Sequence, residues 1–341
     1  MKKLLFSTML FAVLLLSTLT FMSVLSMPAS NIKDARKHAE EVLLPLEGVA
    51  GISHSEEPPR IIVYIEHEKY KSKIPDEIKG FKTEIIVTGR IKALALLQLE
   101  SLVTTQYNYG SPVSRTGEVR PIVGGISCGV PEAAFKGKMA GTLGLIVKGP
   151  GGSYYVLSNA HVIAMDINAK FLPLGTPVLQ PGTYDGGTTE DEIGKLYKYI
   201  KITFGPRGKN YADAAIAILT ISESDYLAYE VLGYDDQTTY TISGTYEVLK
   251  GNSVRKSGRT TGVTTNTVTD TLATVKVWYT YSKWAIFYDQ ILVTQPFIEA
   301  GDSGSLVDKD GAFVGLAFAG SDTIAVVCKA KYIIQGLGIT I

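Results

Sequence analysis

The sequence predicts an all-β protein of two packed antiparallel β-barrels, preceded by a small α+β domain. Three observations carry this. From Gly124 onward, β-branched and aromatic runs recur at 142–147, 154–157, 193–202, 214–219, 271–279, 285–293 and 313–318, with Gly, Asp and Pro between them. Many short strands with regular turn signals make a sandwich or a barrel, and roughly 220 residues suffice for two barrels. Composition agrees: 34 Gly and 19 Tyr suit turns and strands respectively. Before residue 90 the pattern differs, mixing a helical period with short strands.

In that first part, Ile32, Ala35, Ala39, Val42 and Leu43 recur at helical spacing, with Asn31 as cap and Pro45 as stop. An apolar run at 48–52 and a β-branched run at 61–65 read as strands. The Lys-rich stretch 69–79 reads as partly helical, and 85–87 as another short strand. This order makes a small sheet with helices on one face. Residues 91–120 read as a linker, marked by Gly110-Ser111-Pro112, Ser114-Arg115-Thr116-Gly117 and Arg120-Pro121. The expected organisation is a leader at 1–30, a domain with linker at 31–118, and a β-rich domain at 119–341. The two barrels would span about 119–230 and about 245–341 of that domain.

The 33 basic and 33 acidic residues cancel, which argues against a nucleic-acid or polyanion partner. Lys2 and Lys3 precede an uncharged stretch from residue 4 to 32, and small residues stand near Ser26 and Ala29. This reads as a secretory signal peptide, with an uncleaved N-terminal anchor as the alternative. Either way the rest of the chain would be secreted or at the cell surface. Cys128 and Cys328 could form one disulfide in an exported protein, contributing about 4–5 kcal/mol by chain entropy. Equally, they could be two buried thiols.

Three segments carry chemistry. Gly301-Asp302-Ser303-Gly304-Ser305 sets a hydroxyl between glycines that allow a sharp turn and expose backbone N–H groups to a developing oxyanion. Such a hydroxyl needs a base. Of four histidines, only His161 lies outside the N-terminal part. It sits in Leu157-Ser158-Asn159-Ala160-His161-Val162, after a strand-like run, and the other three read as solvated. Asp213 stands at the mouth of the apolar run Ala214-Ala215-Ile216-Ala217-Ile218-Leu219, where a carboxylate needs a partner. His161 precedes Asp213 by 52 residues, and Asp213 precedes Ser303 by 90.

This order and these motifs resemble the chymotrypsin-type serine proteases, and more narrowly the microbial trypsin-like branch with Ser-Asn-x-His-Val and Gly-Asp-Ser-Gly-Ser. Ser257-Gly258-Arg259-Thr260-Thr261-Gly262 and Val314-Gly315-Leu316-Ala317-Phe318-Ala319-Gly320-Ser321 extend the resemblance over residues 120–341. It implies a serine endopeptidase acting through an acyl-enzyme, with no cofactor and a peptide or protein substrate. Ser303 would be the nucleophile, His161 the general base and then acid, and Asp213 the group that holds the imidazole. The backbone of Gly301 and Ser303 would form the oxyanion hole. Phe318, Ala319 and Gly320 would pair with an extended substrate as an added strand.

The position of the family's pocket base falls on Phe297, which implies an apolar or small side chain before the scissile bond; Glu299 lies close by. Ile122-Val123-Gly124-Gly125 looks like the freed N-terminus of activated trypsin, but Arg120-Pro121 before it blocks trypsin-like cleavage. Asp185-Gly186-Gly187 with Glu190, Asp191 and Glu192 reads as a solvated acidic loop, with calcium as the alternative. Residues 31–118 would be a pro-region that assists folding and blocks the cleft, or a permanent accessory domain. A non-catalytic binding or scaffold protein on the same fold is the alternative function. An α/β-hydrolase would need the order Ser, Asp, His and long helices.

Overall fold

The computed structural model describes residues 31–94, 96–97 and 113–341. The leader expected at 1–30, and Gly110-Ser111-Pro112 of the expected linker, lie outside the described residues. No described helix is long and apolar enough to cross a membrane.

The N-terminal helix Ile32–Leu43 starts where the Asn31 side chain accepts the Lys33 N–H at 2.9 Å. It buries Ala35, Ala39 and Leu43, one stripe at i, i+4, i+8, and leaves Val42 exposed off that stripe. The stripe packs on the hairpin Val49–Glu56 and Pro59–Ile65, whose inward residues Ile52, Ile61, Val63 and Ile65 complete a separate small core. The Lys-rich stretch forms a short 3-10 helix, Glu68–Lys73, and Phe81–Val87 joins the sheet parallel to Pro59–Ile65. His54 is not solvated: its side chain is only 4% exposed and its Nδ1 lies 3.3 Å from Arg36 Nη1. Burial, reinforced by that guanidinium, holds its pKa below the usual histidine value.

The second barrel closes on itself. Ser253–Gly258 pairs with Gly262–Trp278, which pairs with Trp284–Thr294; then follow Ile324–Lys329, Ala312–Gly320 and Leu306–Lys309, which returns to Ser253–Gly258. Closure leaves each member paired on both sides over part of its length. The first barrel is built from a five-stranded antiparallel sheet of Leu145–Lys148, Tyr154–Ser158, Ala215–Leu219, Glu192–Tyr199 and Pro177–Leu179. The hairpin of Ile126–Cys128 and Met139–Leu143 completes it through the bridge between Gly129 and Leu179. The expected run 142–147 is thus two strands broken at Gly144, and 271–279 is the end of a 17-residue strand. A helix, Ala330–Leu337, follows the strand Ile324–Lys329.

The N-terminal sheet is continuous with the second barrel. Gly51 and Ile52 pair with Val275 and Thr274 on the long strand. A Cβ on Gly51 would lie 2.6 Å from the Thr274 carbonyl oxygen, so only glycine permits this approach. Polar contacts support the seam: Arg36 donates to Thr274 Oγ1 at 3.1 Å, Thr274 donates to Glu40 at 2.7 Å, and Tyr64 donates to Asp270 at 2.6 Å.

The disulfide expected as one possibility is not formed. Cys128 lies in a strand of the first barrel and Cys328 in a strand of the second, and both are free, buried thiols. Cys328 donates to the Leu316 carbonyl at 3.4 Å, and burial pushes both thiols up to about 12. The native protein is therefore expected to resist a thiol-reactive dye, to titrate two thiols once denatured without reductant, and to keep its Tm when reductant is added. Loss of Tm with reductant would reveal a bond.

Candidate active site

Asp213 and His161 meet in the first barrel. Asp213 ends the loop before Ala215–Leu219, and His161 lies in the one-turn helix Ala160–Ile163 that follows Tyr154–Ser158. These two strands are hydrogen-bonded neighbours, with Ser158 opposite Ala215, so their ends bring the two side chains together. His161 Nδ1 is 2.7 Å from Asp213 Oδ2, and the His161 backbone N–H reaches Oδ1 at 3.2 Å. The Asn159 side chain donates to the Asp213 carbonyl at 2.7 Å and fixes the loop. With Nδ1 donating to the carboxylate, Nε2 is left as the basic nitrogen. Buried Nε2 has no hydrogen-bond partner among the described residues.

Tyr279, which no motif pointed to, donates to Asp213 Oδ2 at 2.6 Å. Its ring meets the His161 ring edge-on, at 5.8 Å and 83°. Burial, with Asp213 beside it, raises the phenol well above its usual value, so it stays a donor. A sequence signal for it was weak: it follows the end of a long strand, 66 residues from its partner.

Ser303 sits in the turn before Leu306–Lys309. Gly301 and Gly304 take φ of 94° and 95°, and a Cβ on Gly304 would lie 2.2 Å from the Thr142 carbonyl oxygen. Backbone bonds tie the turn to the first barrel: Thr142 N–H donates to the Ser303 carbonyl at 2.8 Å, and Thr142 Oγ1 to the Gly301 carbonyl at 2.9 Å. The Ser303 hydroxyl donates to the Phe318 carbonyl at 3.0 Å and accepts the Leu94 N–H at 3.2 Å.

Asp302, fully buried, accepts from Thr260 and Thr261 N–H at 2.9 and 3.1 Å, from Thr261 Oγ1 at 2.6 Å and from Glu299 N–H at 3.0 Å. Lys256 Nζ, equally buried, lies 3.4 Å away. Desolvation pulls the Lys256 pKa down to about 8, against the opposing pull of Asp302. No freed amine is needed for Asp302. Ile122, the residue that resembles an activated N-terminus, is buried in the strand Ile122–Gly124, parallel to Tyr226–Leu232.

The expected linker is partly a docked strand. Ile91 is buried, Lys92 and Ala93 pair antiparallel with Gly320 and Ala319, and the Leu94 carbonyl accepts the Gly301 N–H at 2.8 Å. Beyond it, Leu96 and Leu97 pair with Ala140 and Met139 of the first barrel. Ala93 also borders a small cavity with His161 and Tyr279. His161 and Ser303 thus flank two consecutive residues of one extended segment, though no hydrogen bond joins them here.

Phe297 does not line the cleft. The Gln295 side chain accepts the Ile298 N–H at 3.0 Å and folds the chain there, and Phe297 turns into a core of the second barrel with Val248, Val254 and Val268. A cleft of about 670 Å³ is bordered instead by Leu94, Ile298, Glu299, Ala300, Gly320 and Ser321, among others. In the acidic loop, Asp185 accepts from Arg259 Nε at 2.8 Å and Ser127 Oγ at 2.6 Å, and Asp191 closes a capping box with Thr188. No group of three or more acidic, His or Cys side chains that could hold a metal occurs among the described residues.

The chain is similar to microbial chymotrypsin-like serine proteases. Solved structures that match include a Nocardiopsis protease (16% identity, 64% of this chain and 97% of that one, TM-score 0.45) and Thermobifida fusca protease A (19%, 64% and 97%, 0.47). A glutamic-acid-specific serine protease matches at 19%, covering 64% of this chain and 100% of that one, with TM-score 0.47. No family model matches the chain, and no curated protein matches it. These likenesses concern the chain path; the chemistry of each side chain follows from the geometry above.

Replacing Lys256 with Met would leave a buried carboxylate without its cation, at a cost on the order of 3–5 kcal/mol. Denaturant unfolding is expected to show that loss, and Asp302→Asn in the same chain to recover part of it. Unchanged stability in K256M would mean the pair contributes nothing.

Proposed function

We propose that the chain is a serine endopeptidase that hydrolyses peptide bonds through an acyl-enzyme, with Ser303 as nucleophile, His161 as general base and then acid, and Asp213 as the group that orients the imidazole. One observation carries the reading. The Ser303 hydroxyl, the Gly301 N–H and the His161–Asp213 pair converge on one extended segment laid along Phe318–Gly320. A hydroxyl beside a carbonyl that already accepts a backbone N–H is the arrangement acyl transfer requires. Rotation of Ser303 away from the Phe318 carbonyl would bring its proton toward Nε2; apo or blocked sites often tighten only with substrate in place. Tyr279 would lower the cost of burying the Asp213 charge while the imidazolium forms opposite it.

The second function, a binding protein without catalysis, is favoured by the Ser303 hydroxyl bonding to Phe318 rather than His161. Residues 31–94 would act as a pro-region holding the cleft shut, since their last residues occupy it. The leader would send the enzyme out of the cytoplasm, and its partner would be a peptide or protein.

Protein isolated from producing cells is expected to be labelled by a fluorophosphonate at Ser303, with labelling lost in Ser303→Ala; labelling that persists names another nucleophile. Asp213→Asn should lower kcat roughly 10⁴-fold, by loss of the correct imidazole tautomer. Tyr279→Phe should lower kcat about tenfold, the equivalent of one hydrogen bond to a charged group, with KM within about twofold. An unchanged kcat would make Tyr279 structural only.

A further inference from the structure

The docked segment presents one carbonyl, that of Leu94, beside the Ser303 hydroxyl. Leu94 donates its N–H to the Phe318 carbonyl at 3.3 Å and gives its own carbonyl to Gly301, while its N–H also touches the Ser303 hydroxyl. Residues before Leu94 pair with the second barrel, and residues 96–97 pair with the first. The Leu94 side chain packs against a core formed by the strands of the second barrel. A Cβ placed on Gly320 would meet Leu94 Cδ1 and Ile298 Cδ1, both at 3.2 Å, so glycine at 320 leaves the room that leucine fills.

We infer that Leu94 occupies the primary specificity site, that the enzyme prefers leucine-like aliphatic side chains before the cleaved bond, and that the peptide bond following Leu94 is the first it cuts. This rests on the serine endopeptidase reading above. In that step Ser303 Oγ bonds to the Leu94 carbonyl carbon as its proton passes to His161 Nε2. The proton then goes to the departing amine as the C–N bond breaks. Water, activated by the same imidazole, returns the carboxylic acid and frees Ser303. Glu299 also borders the cleft, and a carboxylate there suits a basic side chain instead. But Glu299 is exposed, whereas Ile298 beside Leu94 is buried. The apolar wall sets the preference.

The test has two arms. Full-length chain bearing wild-type Leu94, and the variants Leu94→Asp and Ser303→Ala, are followed by intact mass. Wild type is expected to yield a fragment ending at Leu94, S303A none, and L94D at least tenfold less. Separately, wild-type enzyme is assayed on peptidyl p-nitroanilides with Leu, Phe, Ala, Lys or Glu before the anilide. Leu is expected to exceed each of the others at least tenfold in kcat/KM, the worth of two or more buried methylenes over Ala. Labelling by the serine reagent together with a preference for Lys, Glu or Phe overturns the leucine assignment and leaves the protease reading standing. No labelling and no cleavage of any anilide overturns both.

Discussion

A carboxylate with no exposed surface stands at the meeting of the two barrels, and much of the site follows from satisfying it. An unpaired buried charge would cost several kcal/mol. Asp213 avoids that with three donors: the His161 backbone, the His161 ring and the Tyr279 hydroxyl. The first two come from the first barrel; the third comes from the end of the long strand of the second. One charge therefore fixes the imidazole tautomer and ties the halves of the molecule together.

The Ser303 turn obeys a similar constraint. Its glycines take backbone angles and close approaches that other residues cannot, and Asp302 anchors it from below through a buried lysine. Because this ion pair is internal, the turn is shaped without a newly freed chain end. Residues 91–94 lie along Phe318–Gly320 beside Ser303, and the turn keeps its shape with them there.

The local motifs around His161, Asp213 and Ser303 were legible because each depends on a few consecutive residues: a strand end, a short helix, a glycine turn. The alternating strand pattern gave the two barrels for the same reason. Tyr279 and Lys256 were not legible, since their partners lie 66 and 46 residues away and nothing near them in sequence names the contact. Phe297 failed because counting back from Ser303 assumes a regular path, whereas Gln295 folds the chain and turns the aromatic ring into the core. The turn residues at 110–117 read as a linker, but they say nothing of 91–94, where Ile91, Ala93 and Leu94 carry enough apolar character to lie in a groove.

The shared seam has a further bearing on the life of the molecule. At Thr274 and Val275 the long strand has one neighbour from its own barrel and one from the N-terminal sheet. Were that sheet to depart, the backbone groups that pair with Gly51 and Ile52 would face water with nothing to pair with, and a bare border of this kind recruits other strands. Lys276, next along, and Asp270, earlier on the same strand, would then serve as charged guards against self-association.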